Sequence, residues 1–200
     1  MDKTEGKRKE VLDERFLPLL SKIDTLLERG RVIFAIDGGS GSGKTTLSNL
    51  LAQIYDCNVF HMDDFFLRQE QRTKERLSEV GGNVDWERFL VEVLVPLCKE
   101  ESIDYVRFDC ATFDLLPAKK MNLKKLNIIE GSYSMHPKLA EKYDFGVFLD
   151  ISPKLQEERI KKRNSPELAE RFFEEWIPKE QRYHEIMKVK GRCDLCIKID

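Results

Sequence analysis

Residues 31–46 read Arg31-Val32-Ile33-Phe34-Ala35-Ile36-Asp37-Gly38-Gly39-Ser40-Gly41-Ser42-Gly43-Lys44-Thr45-Thr46, and a helical pattern continues from there to Ile54. A short apolar run bounded by a glycine-rich turn is the signature of a buried strand that must reverse sharply into a helix. Gly38 followed by Gly43-Lys44-Thr45 fits the spacing G-x-x-x-x-G-K-[ST] of a phosphate-binding loop. Glycines there permit positive backbone angles and leave room for a phosphate to reach main-chain N–H groups, while the first turn of the following helix points its unpaired amides the same way. The nucleotide-contacting residues expected are therefore Gly38, Gly39, Ser40, Gly41, Ser42, Gly43, Lys44, Thr45 and Thr46. Lys44 would meet the β- and γ-phosphates of a bound nucleotide as a mobile charge, and the Thr45 hydroxyl would hold Mg²⁺.

Around this stretch the 200-residue chain is 41% hydrophobic, enough for one domain with a sizeable core. Its 34 basic and 36 acidic residues leave a formal charge of −2, which gives no general attraction to nucleic acid or anionic lipid. No apolar run approaches a membrane span, and the charged first ten residues lack a hydrophobic signal region, so a cytoplasmic protein is expected. The five cysteines, at positions 57, 98, 110, 193 and 196, read as reduced thiols; Cys193 and Cys196 have C-x-x-C spacing, without a second pair or a histidine cluster to complete a zinc site.

Upstream of the loop, Val11, Leu12, Phe16, Leu19, Leu20, Ile23, Leu26 and Leu27 recur at helical spacing from about Glu10 to Arg29, with an interruption expected near Pro18. Downstream, Asn58-Val59-Phe60-His61-Met62 is a β-prone segment ending in Asp63-Asp64. In an open parallel sheet the active crevice lies beyond the carboxyl ends of the strands, so one of these acids should approach the phosphate loop. It would serve as a base for a substrate hydroxyl or as a helix cap, and position alone does not choose between the roles, nor between the two acids. Residues 69–82 are polar, and Asp85 is placed to cap an amphipathic helix from Trp86 to Leu97. Ile103 to Asp109 alternates weakly, as a strand at the rim of the site would. Lys119, Lys120, Lys124 and Lys125 read as a solvated face.

Leu126-Asn127-Ile128-Ile129-Glu130-Gly131 is a further buried strand whose terminal carboxylate would orient Mg²⁺ or act only structurally. Phe145 to Ile151 and Asp194 to Ile199 complete the set. Strands separated by helices, with the nucleotide loop after the first, give a doubly wound α/β fold. Ser152-Pro153 starts a helix rich in Arg159, Lys161, Lys162 and Arg163; Asn164-Ser165-Pro166 breaks it, and a second helical stretch carries Arg171, Phe172, Phe173, Trp176, Arg182 and Tyr183. Basic residues on such a hinged pair would close over a transferring phosphoryl group or simply face solvent.

Assembled, these segments resemble the uridine kinase-like branch of the P-loop kinases, which also includes phosphoribulokinase and bacterial-type pantothenate kinase. The resemblance rests on the phosphate loop, Met62-Asp63-Asp64-Phe65-Phe66, Asn83-Val84-Asp85, Phe108-Asp109, Ile128-Ile129-Glu130-Gly131 and Arg159-Ile160-Lys161-Lys162-Arg163. It implies a P-loop NTPase fold: a five-stranded parallel core with the phosphate-loop strand central and a helical lid near residues 153–190. Residues 1–30 would add an N-terminal helix packed on the kinase domain of 31–200.

By the same resemblance the activity implied is ATP-dependent phosphorylation of a small molecule's hydroxyl group. Asp63 matches the first acid of the motif D-x-F-[YF] and takes the base role; Lys44, Arg159 and Arg163 complete the catalytic group, and Thr45 with Glu130 the metal group. Asp85, Phe108 and Asp109 are the candidates for gripping the acceptor. Two departures bear on that acceptor: uridine kinases carry Tyr-Asp-Phe followed by a histidine where this chain has Phe108-Asp109-Cys110-Ala111-Thr112-Phe113, and Asn-x-Asp-His-Pro where it has Asn83-Val84-Asp85-Trp86-Glu87. A regulatory ATPase switch is the rival expectation from a different class. Oligomeric state is not legible.

Overall fold

The computed structural model describes residues 13–200, so the beginning of the first expected helix, including Val11 and Leu12, lies outside the described residues. A 3-10 turn, Glu14–Phe16, leads into helix α1, Leu17–Leu27. Pro18 occupies the first turn of α1, where a helix needs no N–H from it, so it starts the helix rather than interrupting it. Leu19, Leu20 and Ile23 bury one face of α1.

Strand β1 is Val32–Gly38, and all seven of its residues are buried. Helix α2, Lys44–Ile54, returns over the sheet through Leu47 and Leu51, and β2 is Cys57–His61. A continuous helix, α3, spans residues 86–99, followed by β3, Leu126–Glu130, and β4, Phe145–Ile151. Helix α4, Pro153–Arg163, helix α5, residues 166–186, and β5, Leu195–Ile199, complete the order. Both long helices with an internal proline widen into a π turn just before it: Leu90–Leu94 ahead of Pro96 and Phe172–Trp176 ahead of Pro178. A proline ring collides with the carbonyl four residues back and offers no N–H, and the wider turn absorbs both defects.

The five strands form one parallel sheet in the order β2-β3-β1-β4-β5, with the phosphate-loop strand central as the resemblance implies. Both faces are covered. Ile33 and Ala35 of β1 join Phe60, Met62, Phe89, Leu94 and Tyr183 on one side, and Val32, Phe34 and Ile36 join Leu19, Ile23, Leu51 and Val147 on the other. That is why β1 reads as an unbroken apolar run instead of an alternating one.

The expected rim strand from Ile103 to Asp109 is two strands. Ile103–Tyr105 pairs with Lys119–Met121 and Phe108–Asp109 with Asp114–Leu115, each antiparallel and outside the main sheet. The weak alternation across Val106 and Arg107 conceals a change of partner. The polar stretch 69–82 holds a 3-10 turn, Gln69–Gln71, and a short helix, Lys74–Ser78. All five cysteines are free thiols, with Cys193 half-buried and Cys196 exposed.

Candidate active site

Register brings the expected residues to one edge of the sheet. Ile36 of β1 and His61 of β2 both lie level with Glu130 of β3, so the ends of the three strands open together. Gly38 leaves β1 at φ 149°, and a Cβ on it would stand 2.5 Å from the main-chain oxygen of Leu149. Only glycine lets the loop pass that close to β4. Gly41 and Gly43 take φ values of 80° and 95°, turning the loop into α2.

A cleft of about 1270 Å³ opens above this edge, and it brings together Ser40 to Thr46, Asp63, Glu130, Arg159 and Arg163. Lys44 Nζ donates to the carbonyls of Gly38 (2.7 Å) and Gly39 (3.1 Å) and to Ser132 Oγ (3.3 Å). The Thr45 hydroxyl donates to Glu130, 3.1 Å from one carboxylate oxygen and 3.3 Å from the other. His61 Nδ1 lies 2.5 Å from Glu130 Oε1, and that hydrogen bond is the main reason the imidazole's pKa is raised. The loop hydroxyl of Ser42 is buried without a hydrogen-bond partner among the described residues. An orphaned donor inside a ring of loop amides fits an anionic ligand, and the Thr45 and Glu130 oxygens are the hard donors that Mg²⁺ takes one or two at a time.

The two acids after β2 have separate fates. A 3-10 turn, Met62–Phe65, presents them, held from beneath by Arg88, whose guanidinium donates to the Asp64 carbonyl at 2.9 Å. Asp64 is buried and accepts from Tyr105 Oη at 2.7 Å and Arg107 Nε at 2.8 Å. Asp63 makes no side-chain hydrogen bond or ion pair among the described residues and faces the cleft. Its carboxyl is open to the cavity but deep within protein walls, and this desolvation, reinforced by the charges of Glu130 and Glu180 and opposed by Lys44, raises its pKa.

The acceptor candidates fare unevenly. Phe108 lines the cleft, packed edge-on against Phe113 at 6.0 Å between centroids. Asp85 does not: its carboxylate caps α3 by accepting the Arg88 N–H at 3.0 Å and accepts from Gln71 Nε2 at 2.7 Å, so the structure gives it to the helix. Asp109 is likewise spent locally, accepting from the Ala111 N–H at 2.9 Å and the Thr112 hydroxyl at 3.0 Å. Those bonds hold its pKa low.

Among the basic residues, Arg159 donates to the Gly41 carbonyl at 2.9 Å, Arg163 lies over the Phe172 ring at 5.2 Å and Arg171 over Trp176 at 5.0 Å. Lys162 and Lys179 also line the cleft, beside Glu175, which pairs with Lys179 at 2.8 Å and Arg171 at 3.8 Å.

Several cleft residues escape sequence reasoning. Arg72, Asn83, Cys110, Ser132 and Tyr133 line it, as does Glu180, which sits in the same helix as Arg171. Asn83 and Ser132 are each one or two residues from an expected position, which is a usable signal. Glu180 lies among charged neighbours on a helix and offers none.

No protein-family model matches the chain. Over 68 residues, 34% of its length, the chain is 37% identical to an ATP-dependent lipid A-core flippase of Photorhabdus laumondii, of which it spans 11%. Among solved structures, it is similar to a possible uridine kinase from Bacillus stearothermophilus, with a TM-score of 0.64 and 23% identity, covering 90% of this chain and 100% of that one. It is similar also to a candidate fructose transport system kinase from Silicibacter sp. TM1040, with a TM-score of 0.62 and 23% identity over 98% of each chain. A third, a candidate P-loop-containing kinase with a circular permutation from Saccharomyces cerevisiae, has a TM-score of 0.58 at 15% identity, covering 85% and 93%.

Proposed function

The fold is that of the P-loop NTPases, in the form seen in structures described as kinases, and from that premise we propose that the protein is an ATP-dependent small-molecule kinase. It transfers the γ-phosphoryl group of ATP to a hydroxyl, with uridine or a related nucleoside as the leading acceptor. The observation that carries this reading is Asp63: a carboxylate with no hydrogen-bond partner among the described residues, in the same cleft as Lys44, Thr45 and Glu130. A nucleotide switch needs no such free base facing its loop.

In the proposed reaction the loop amides and Lys44 hold the triphosphate, Lys44 leaving its present contacts with the Gly38 and Gly39 carbonyls to do so. Mg²⁺, held by Thr45 and Glu130, would supply neutralising charge beside the phosphates. Asp63 accepts the proton of the acceptor hydroxyl, whose oxygen bonds to the γ-phosphorus as the bond to the bridging oxygen breaks and ADP departs. Arg159 and Arg163 spread the charge that develops on the transferring oxygens. Residues 153–190 form the lid in this scheme, and the partner is a small molecule, with neither nucleic acid nor a membrane involved. Among the described residues no helix is long and apolar enough to cross a membrane; with five free thiols, a cytoplasmic setting is part of the same proposal.

One observation favours a second reading, a kinase of another small alcohol such as pantothenate or a sugar phosphate. The cleft beyond Asp63 is walled by Phe66, Phe108, Cys110, Phe113 and Tyr133, with no histidine among its described lining residues. An ATP-consumption screen across nucleosides, pantothenate and sugar phosphates, with the product identified by mass, separates the two. If no acceptor raises ATP turnover and a protein partner binds in only one nucleotide state, the kinase reading fails.

A further inference from the structure

Glu180 is a carboxylate, 5% exposed, that the proposed chemistry does not use. It reaches from α5 into the phosphate loop: one oxygen accepts the Ser40 N–H at 2.7 Å, and the other accepts the Ser40 hydroxyl at 2.6 Å and the Ser132 hydroxyl at 2.7 Å. Ser132 in turn is a partner of the Lys44 ammonium, at 3.3 Å. Ser40 is gripped from the other side as well, because Gln156 of α4 donates to its carbonyl at 2.8 Å. The next carbonyl, Gly41, is taken by Arg159 of the same helix at 2.9 Å. Both helices of the proposed lid therefore hold the outer turn of the loop by its main chain.

A negative charge buried beside a seat for a polyanion is costly, and an amide or hydroxyl could fill the same space. What the carboxylate adds is three acceptor contacts to two different segments at once, each stronger for being charge-assisted. We propose that Glu180 is a positioning residue for phosphoryl transfer: it fixes Ser40 and Ser132, and through Ser132 the resting place of the Lys44 ammonium, so that the shape of the loop follows the position of α5. This rests on the kinase reading for its consequence, though not for the contact itself. Glu180 touches no reacting atom in this scheme; it acts through Ser40, Ser132 and Lys44.

Helix α5 has a second attachment one turn on, where Tyr183 Oη lies 3.0 Å and His184 Nε2 3.2 Å from the carboxylate of Asp37. Removal of Glu180 thus leaves the helix anchored, and the variants Glu180→Ala and Glu180→Gln test the loop contact specifically. Losing charge-assisted hydrogen bonds should lower kcat of Glu180→Ala by about tenfold or more while the Kd of an ATP analogue moves less than about threefold. Glu180→Gln, whose amide still accepts from the Ser40 N–H and meets a serine hydroxyl, should recover most of that loss. Wild-type turnover in Glu180→Ala, or a glutamine variant no better than alanine, overturns the proposal.

Amide exchange of residues 38–46 without nucleotide reads the same contact with no activity needed. It should run about tenfold faster in Glu180→Ala and near the wild-type rate in Glu180→Gln. An unchanged exchange rate in Glu180→Ala overturns the proposal whether or not an acceptor is found. Accelerated exchange in a protein that meets both conditions under which the kinase reading fails would still support the loop contact.

Discussion

Asp63 and Asp64 are adjacent in the chain and opposite in environment: Asp64 is buried under Tyr105 and Arg107, at 2.7 and 2.8 Å, while Asp63 stands without a hydrogen bond among the described residues at the wall of the cleft. Asp63→Asn should keep ATP-analogue binding and lower phosphoryl transfer by about a hundredfold or more, the usual weight of a general base. Asp64→Asn should instead cost about 1.5–3 kcal/mol of stability through its lost charge-assisted bonds. Turnover and urea denaturation of the two variants check this, and near-normal turnover in Asp63→Asn would remove it from the mechanism.

The raised pKa of Asp63 has two consequences of definite sign. A base must be ionised, so the acid limb of kcat/KM should lie above the ordinary carboxylate value of about 4, and a pH–rate profile reads it directly. Because the folded state holds this proton more tightly than the unfolded chain, the group favours folding fully below its unfolded pKa, and that advantage is lost as pH rises through the folded value. At neutral pH the charged form is therefore a burden, and Asp63→Asn should have a higher Tm than wild type even as it loses activity.

Lys44→Ala should weaken ATP-analogue binding about tenfold or more with the fold intact, since its present partners are the carbonyls of Gly38 and Gly39 and a hydroxyl, each able to take water. Glu130→Gln should leave analogue binding nearer normal and raise the Mg²⁺ concentration needed for half-maximal activity by about tenfold to a hundredfold. Metal titrations at saturating ATP distinguish the two.

Glu100 ends α3 in the left-handed region, at φ 60°, and its 3.5 Å ion pair with the half-buried Arg31 is exposed on the glutamate side. Such pairs contribute little, whereas glycine relieves the backbone. Glu100→Gly should raise stability by about 1 kcal/mol with no change in activity, measured by thermal or urea unfolding. Gly38→Ala is the contrasting case: its Cβ would meet the Leu149 main-chain oxygen at 2.5 Å, so it should cost about 2 kcal/mol or more and damage nucleotide binding together with stability.

The strand, loop and helix from Val32 to Ile54 were legible because their chemistry is local: buried apolar residues, positive-φ glycines and a lysine at fixed spacing. So was Glu130, carried to the site by the end of its own strand. Position alone did not choose between Asp63 and Asp64; the resemblance chose Asp63, and the contacts that occupy Asp64 come from Tyr105 and Arg107, more than forty residues on. As a sequence Asp85 favours the cap, which its bonds to the Arg88 amide and Gln71 bear out, while the ligand role came with the resemblance. Glu180 is invisible for a similar reason: nothing near it in sequence records that Ser40 lies 140 residues away in the chain and 2.7 Å away in space.

The attachment of Tyr183 and His184 to Asp37 also orders events during synthesis. The carboxylate at the end of the first strand is separated by 146 and 147 residues from these two partners, contacts of high sequence separation that close late. A nascent chain that has already translated its glycine-rich turn and most of its sheet still lacks the helix that clamps both. The settled arrangement of the phosphate loop should thus form only once residues 183 and 184 have been made, a built-in delay between the making of the loop and its final shape.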